Sequence, residues 1–205
     1  NALLLAVGAH YSHIVAICWL CHSSIVNAAE SSSFYSYGWE TQLLETAFLT
    51  MFLCSPTDRR APPTRIVLWL FRWLAFRISV GAGLIKVRGG SCWARKTCLW
   101  YHFETQPIPS PLSFIFHFLP KTILSRGVDV DLVVQLYTSW LVLVPLTRVR
   151  RIAGYAQIAF MVNIAASGNF SVLNHLTILP SLACLDDGAW PRFLRRAPSH
   201  KRRNL

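Results

Sequence analysis

The chemistry-bearing side chains of this sequence gather in one polar stretch, Tyr101-His102-Phe103-Glu104-Thr105-Gln106-Pro107. A histidine and a carboxylate two positions apart are the residue types of a general acid–base pair. No nucleophile elbow, phosphate loop or second carboxylate accompanies them. The other reading is structural: Glu104, Thr105 and Gln106 satisfy backbone groups where a loop meets the membrane surface, because non-helical backbone at that depth must find internal partners. Just upstream, Cys92 and Cys98 enclose five residues. On an oxidising side they would form a short disulfide; otherwise they are two reduced thiols packed at the interface. Only His102 and His117 lie near them, and zinc needs more ligands at suitable spacing. No metal or cofactor is expected.

A second set of ionisable residues lies inside apolar runs: Glu40 and Glu45 within 39–54, Arg72 and Arg77 within 65–87. Charges in such places usually pair or face a wet cavity. At 1.5 Å per helical residue, Glu45 is roughly 13 Å from the end of its run at Cys54. Arg72 is roughly 10 Å in from Arg65 and Arg77 roughly 18 Å, so Glu45 falls between them in depth. Arginines five apart differ by about 140° around a helix, so one carboxylate cannot serve both. A buried Glu45–Arg72 pair is the expectation, either as a structural lock on helix register or as part of a proton or substrate pathway.

The elements that must position these residues are membrane spans. Hydrophobic residues make up 53% of the 205-residue chain and charged residues 14%, with apolar runs of span length. Lipid is therefore the expected solvent for most of it. The net charge of +11 would suit nucleic acid in a soluble chain. Here the bases punctuate apolar runs, and topology determinants and anionic headgroups account for them, with no nucleic-acid partner. Six spans are expected, at about 2–26, 39–54, 65–87, 131–147, 151–168 and 172–186, broken by "SPTDRRAPPT", "RGGS" and "SGNFS". The second, fifth and sixth are short against the roughly 20 residues that a crossing takes. The fold class is thus all-α: a polytopic helical bundle over 1–187, with a structured Pro- and aromatic-rich loop at 88–130 and a basic tail at 188–205. A start on Asn1 rather than Met leads one to expect a processed or partly represented product.

Alternate crossing puts twelve Lys and Arg on one side, in 55–65, 147–151 and the tail, and six on the other, all in the long loop or at its edge. The basic tail is then expected in the cytosol, or in the matrix of a mitochondrial membrane, with the loop on the outer side. Within the loop, "PIPSPLSFIFHFLP" predicts an extended turn and a short aromatic interfacial helix, with Phe114, Phe116, His117 and Phe118 among headgroups beside Lys121. Asn169-Phe170-Ser171 matches the glycosylation pattern but sits against the membrane and is expected to be unmodified. Ser79 and Gly83, with Gly81 between, mark a surface that another helix approaches closely.

Three blocks, "WETQLLETAFL" (39–49), the stretch 72–120 and "SGNFSVLNHLTILPSLACLDD" (167–187), resemble the lipase maturation factor family of multi-span membrane proteins. The resemblance implies a non-catalytic endoplasmic reticulum membrane protein that assists folding or assembly of lipase-like clients. It also implies a lumenal place for the loop holding Tyr101 to Pro107. The family continues beyond the spans, whereas this sequence closes on a basic tail. The alternative expectation is a structural accessory subunit of a larger membrane complex, such as a respiratory-chain or ATP synthase assembly of the mitochondrial inner membrane, with membrane lipids and neighbouring subunits as partners.

Overall fold

The computed structural model describes residues 8, 11–28, 38–58, 61–106, 109–168 and 172–190. All regular structure among them is helical. Pro107, Asn169 to Ser171 and the tail from 191 lie outside the described residues.

The central helix is α3, Arg65–Gly89. Thr64 caps it in extended conformation, its hydroxyl accepting from the Val67 amide, and Lys86 and Arg88 in the last turn suit the negative end of the helix dipole. Val67, Phe71, Leu74, Ala75 and Ser79 form its buried stripe at helical spacing. Of the described helices, α3 is the one long and apolar enough to cross a membrane. Helix α1, Ser12–Ala28, is apolar and shorter.

Helix α1 pairs with α2, Gly38–Leu53, and the two run antiparallel. The Ser12 amide at the start of α1 reaches the Ser55 carbonyl just past the end of α2, while Trp19 donates its indole N–H to the Leu44 carbonyl at 3.0 Å. Helix α2 also meets α10, Leu173–Ser181, where Gln42 donates to the Thr177 hydroxyl at 3.0 Å. Helix α9, Thr147–Ser167, packs so closely on the turn after α10 that a Cβ on Gly154 would lie 2.7 Å from the Cys184 Cβ. Phe76, Val142, Ala153 and Cys184 form the core cluster.

The short helices α4, Ser91–Ala94, α5, Cys98–His102, and α6, Ser113–His117, follow α3 in the chain. Helix α7, Lys121–Leu132, then runs without a break through a π-helix, Val133–Thr138, into α8, Ser139–Leu141. This rod begins ten residues before the expected span at 131–147, inside the expected loop 88–130, and it ends earlier, at 141. The sequence hides its first half because that half is amphipathic. Leu124, Val128 and Asp131 face inward, while the intervening Lys121, Arg126 and Asp129 lower the hydropathy.

The expected buried Glu45–Arg72 pair is not made. Arg72 turns instead toward the end of α10, where its Nε donates to the Ala183 carbonyl at 2.8 Å and its guanidinium lies 5.4 Å from the Trp69 ring centre. Arg150 joins it on the neighbouring Cys184 carbonyl at 3.4 Å. Carbonyls at a helix C-terminus lack helical donors, and two guanidiniums supply them. Glu45 pairs with Arg77, and that pair is 38% and 51% exposed rather than buried. Once the stripe of α3 is packed inward, the angular offset between positions 72 and 77 sends one arginine to α10 and the other to α2.

The bundle has two distinct ends. At one, Arg151 meets Asp186 at 2.5 Å and Tyr155 donates to the Ala189 carbonyl. At the other, Lys86 meets Asp131 at 2.6 Å, and Ser110 and Ser113 bond the carbonyls of Ala166 and Ser167.

Candidate functional site: a disulfide-closed cap

The second end is covered by residues 90–106 and 109–120. Gly90 opens the cap in extended backbone, α4 makes one turn, and Lys96 takes φ 58°, the left-handed region rarely used by a side-chain-bearing residue. That reversal lets the Thr97 amide bond the Cys92 carbonyl at 2.9 Å and brings Cys98 back to Cys92, with which it forms a disulfide.

Charge and aromatic contacts fasten this ring to the bundle. Lys86 holds Asp131 and lies 4.7 Å from the centre of the Trp93 ring. Lys96 reaches Asp129 at 2.6 Å, and Lys121 sits 4.8 Å over Trp100, whose indole donates to Ser125. Leu99 packs onto Gly127 so tightly that a Cβ there would meet its Cδ1 at 2.9 Å.

The polar stretch folds within the cap. His102 and Glu104 do not face each other: the His102 Nε2 is 3.1 Å from the Gln106 Nε2, and Glu104 lies 3.6 Å from the His117 Nδ1. Gln106 as donor requires His102 to accept, which is its neutral form. Burial, and then the nearby Lys86 charge, push the His102 pKa down from its ordinary value, with Asp131 opposing. Of the three residues expected on backbone groups, Thr105 makes such a bond, its hydroxyl donating to the His102 carbonyl at 3.2 Å. Phe103 is buried and packs on Phe116 at 5.7 Å, above a cavity of about 360 Å³ lined also by Asp131, Phe160 and Asn163. Tyr101, Phe114, Ile115 and Phe118 face outward, each 59–69% exposed. Among the described residues no three His, Cys, Asp or Glu are grouped to hold a metal ion.

These groups fasten the segment to the end of the bundle. The cysteines and the polar stretch are legible in the sequence; Lys86–Asp131, Trp93, Trp100 and the two serines are not. "SPLS" is ordinary turn composition, and nothing in it announces that both hydroxyls reach the carbonyl end of α9.

A family model described as the lipase maturation factor transmembrane domain matches residues 2–192. The chain is similar to lipase maturation factor 1 of Mus musculus, 42% identical over 200 residues, which cover 92% of this chain and 33% of the relative. To lipase maturation factor 1 of Homo sapiens it is 41% identical, over 91% of this chain and 33% of the relative. To human lipase maturation factor 2 it is 30% identical, over 98% and 29%. It therefore spans about a third of the length of the curated relatives that it matches. No solved structure matches.

Proposed function

The chain belongs to the lipase maturation factor family, and from that premise we propose that it is a non-catalytic membrane protein that assists the folding or assembly of lipases. It sits in the endoplasmic reticulum membrane as six crossings: α1, α2, α3, the rod 121–141, α9, and α10 with its following turn. The basic connections and tail face the cytosol and the cap faces the lumen. The charge asymmetry supports this orientation, and a disulfide is the chemistry of an oxidising compartment.

One observation carries the client-binding role: the outward exposure of Tyr101, Phe114, Ile115 and Phe118 on the cap. These side chains stand on a segment fixed by the disulfide, by two serine–carbonyl bonds and by two lysine–aromatic contacts. Apolar groups held rigidly at a membrane exit bind exposed apolar segments of an unfinished protein at low entropic cost.

The test places a photo-activatable residue at Phe114 in cells that lack endogenous family members and secrete a lipase. Adducts with newly made lipase are expected, and secretion should fall when Phe114 and Phe118 are both changed to Ser. Undiminished secretion by that variant, with no lipase adduct from position 114, would sink the proposal.

A further inference from the structure

With α2 and α3 read as spans, the Glu45–Arg77 pair lies at mid-membrane, and both side chains are part-exposed. Arg77 has twelve residues of α3 on either side, 65–76 and 78–89, or about 18 Å to each end. Glu45 lies at the middle of α2. The two side chains are 38% and 51% exposed, in a groove of about 320 Å³ that is otherwise lined by Trp19, Phe48, Leu70 and Trp73 among other apolar groups. Acyl chains offer these charges nothing, and an arginine held by Glu45 at this depth does not reach an interface by snorkelling. Ionisable groups at such positions face protein or water.

We infer that this groove is the interface between two copies of the chain. Copies inserted in the same orientation are related by a two-fold axis along the membrane normal, and such an axis preserves depth. Glu45 and Arg77 share one depth because they touch. The rotation therefore carries the acid of each copy to the level of the base of the other. Each guanidinium gains a second carboxylate, and the four charges sum to zero. A foreign helix would have to supply its own matching polar group; a second copy already carries it. The aromatic side chains along the groove supply the apolar contact, in the left-handed or right-handed crossings that membrane helices use. The inference needs the chain to be membrane-embedded and is independent of any role with lipases.

The test uses the full chain in native membranes with two epitope tags. A photo-activatable phenylalanine analogue in place of Phe48 should give an adduct of twice the chain's mass, and the same analogue at Tyr137, outside the groove, should not. Next, Arg77→Leu chains, which keep only the acid, are co-expressed with Glu45→Leu chains, which keep only the base. Cross-links between unlike chains should exceed those between like chains by on the order of tenfold, because only the mixed pair places opposite charges in contact. Adducts from position 48 with lipid alone, or with another protein alone, would overturn the inference. So would equal cross-linking of like and unlike chains. The first experiment carries no charge substitution, so a folding defect in the single variants leaves it decisive.

Discussion

Gln157 donates its side-chain amide to the backbone carbonyl of Val134 at 3.1 Å, reaching from α9 into the π-helical turn of the neighbouring rod. The same nitrogen donates to the Ser139 hydroxyl at 2.9 Å, and the Gln157 oxygen accepts from the Ser79 hydroxyl at 3.1 Å. A π-turn disturbs the i→i−4 ladder and leaves backbone groups short of partners. Gln157, 1% exposed, meets that shortage together with the Ser139 hydroxyl, which also donates to the Val134 carbonyl at 3.1 Å, and it joins three elements.

Gln157→Leu keeps the volume and removes every one of these bonds. It should lower stability by on the order of 1–3 kcal/mol, the cost of stranding a buried polar group. Tryptophan-fluorescence melting in detergent would report it as a lower Tm, and a Tm equal to wild type would deny the network its role.

Three glycines give a graded series. A Cβ on Gly154 would lie 2.7 Å from the Cys184 Cβ, and one on Gly83 would lie 2.7 Å from Leu136 Cδ2 and 3.1 Å from Gln135 Cβ. One on Gly81 meets nothing within 4 Å. Gly154→Ala should destabilise by about 1–3 kcal/mol through overpacking. Gly83→Ala should cost somewhat less, because the Leu136 side chain can turn away, although its Cγ at 2.9 Å and the Gln135 Cβ at 3.1 Å leave little room. Gly81→Ala should be neutral or stabilise by up to about 1 kcal/mol through helix propensity. Melting curves that rank the three in another order would contradict the packing described.

The Cys92–Cys98 ring is small, so its loss should cost about 2 kcal/mol by loop entropy. The loss should stay local, because the contacts of the ring run to residues 86 and 129 rather than to the core cluster. In a Cys92→Ser, Cys98→Ser variant, hydrogen exchange should rise in 90–106 and hold steady in α9. Uniform deprotection of both would count against a separately fastened cap.

His102 gives the cap a pH dependence of definite sign. Its folded-state pKa lies below its ordinary value of 6.5, so on acidification the unfolded chain takes up the proton first. Stability is complete above about pH 6.5 and falls as pH drops through and below that value. Between about pH 7.5 and about pH 5.5 the wild type should lose more Tm than His102→Gln, which has no proton to gain. Parallel losses in the two proteins would remove His102 as the cause.

The places where the sequence was silent share a cause. The first half of the rod 121–141 went unseen because Lys121, Arg126 and Asp129 hold down its hydropathy, although they sit on the side turned from the core. In the cap, His102 and Glu104 look like partners by spacing, yet the chain leaving α5 sets His102 against Gln106 and Glu104 against His117. Composition counts charges; it does not say which way they face.

From residue order alone come the helical class, the break points, the long apolar run of α3, the proximity of Cys92 to Cys98 and the division of basic residues between connections. All are local or additive properties that survive without knowledge of any neighbour. Tertiary structure decided that Glu45 takes Arg77 while Arg72 closes the carbonyl end of α10, that Gln157 completes the π-turn, and that Gly154 lies against Cys184. Each of these depends on the rotation of a helix about its own axis, and that rotation is set by how the buried faces of several helices fit together at once.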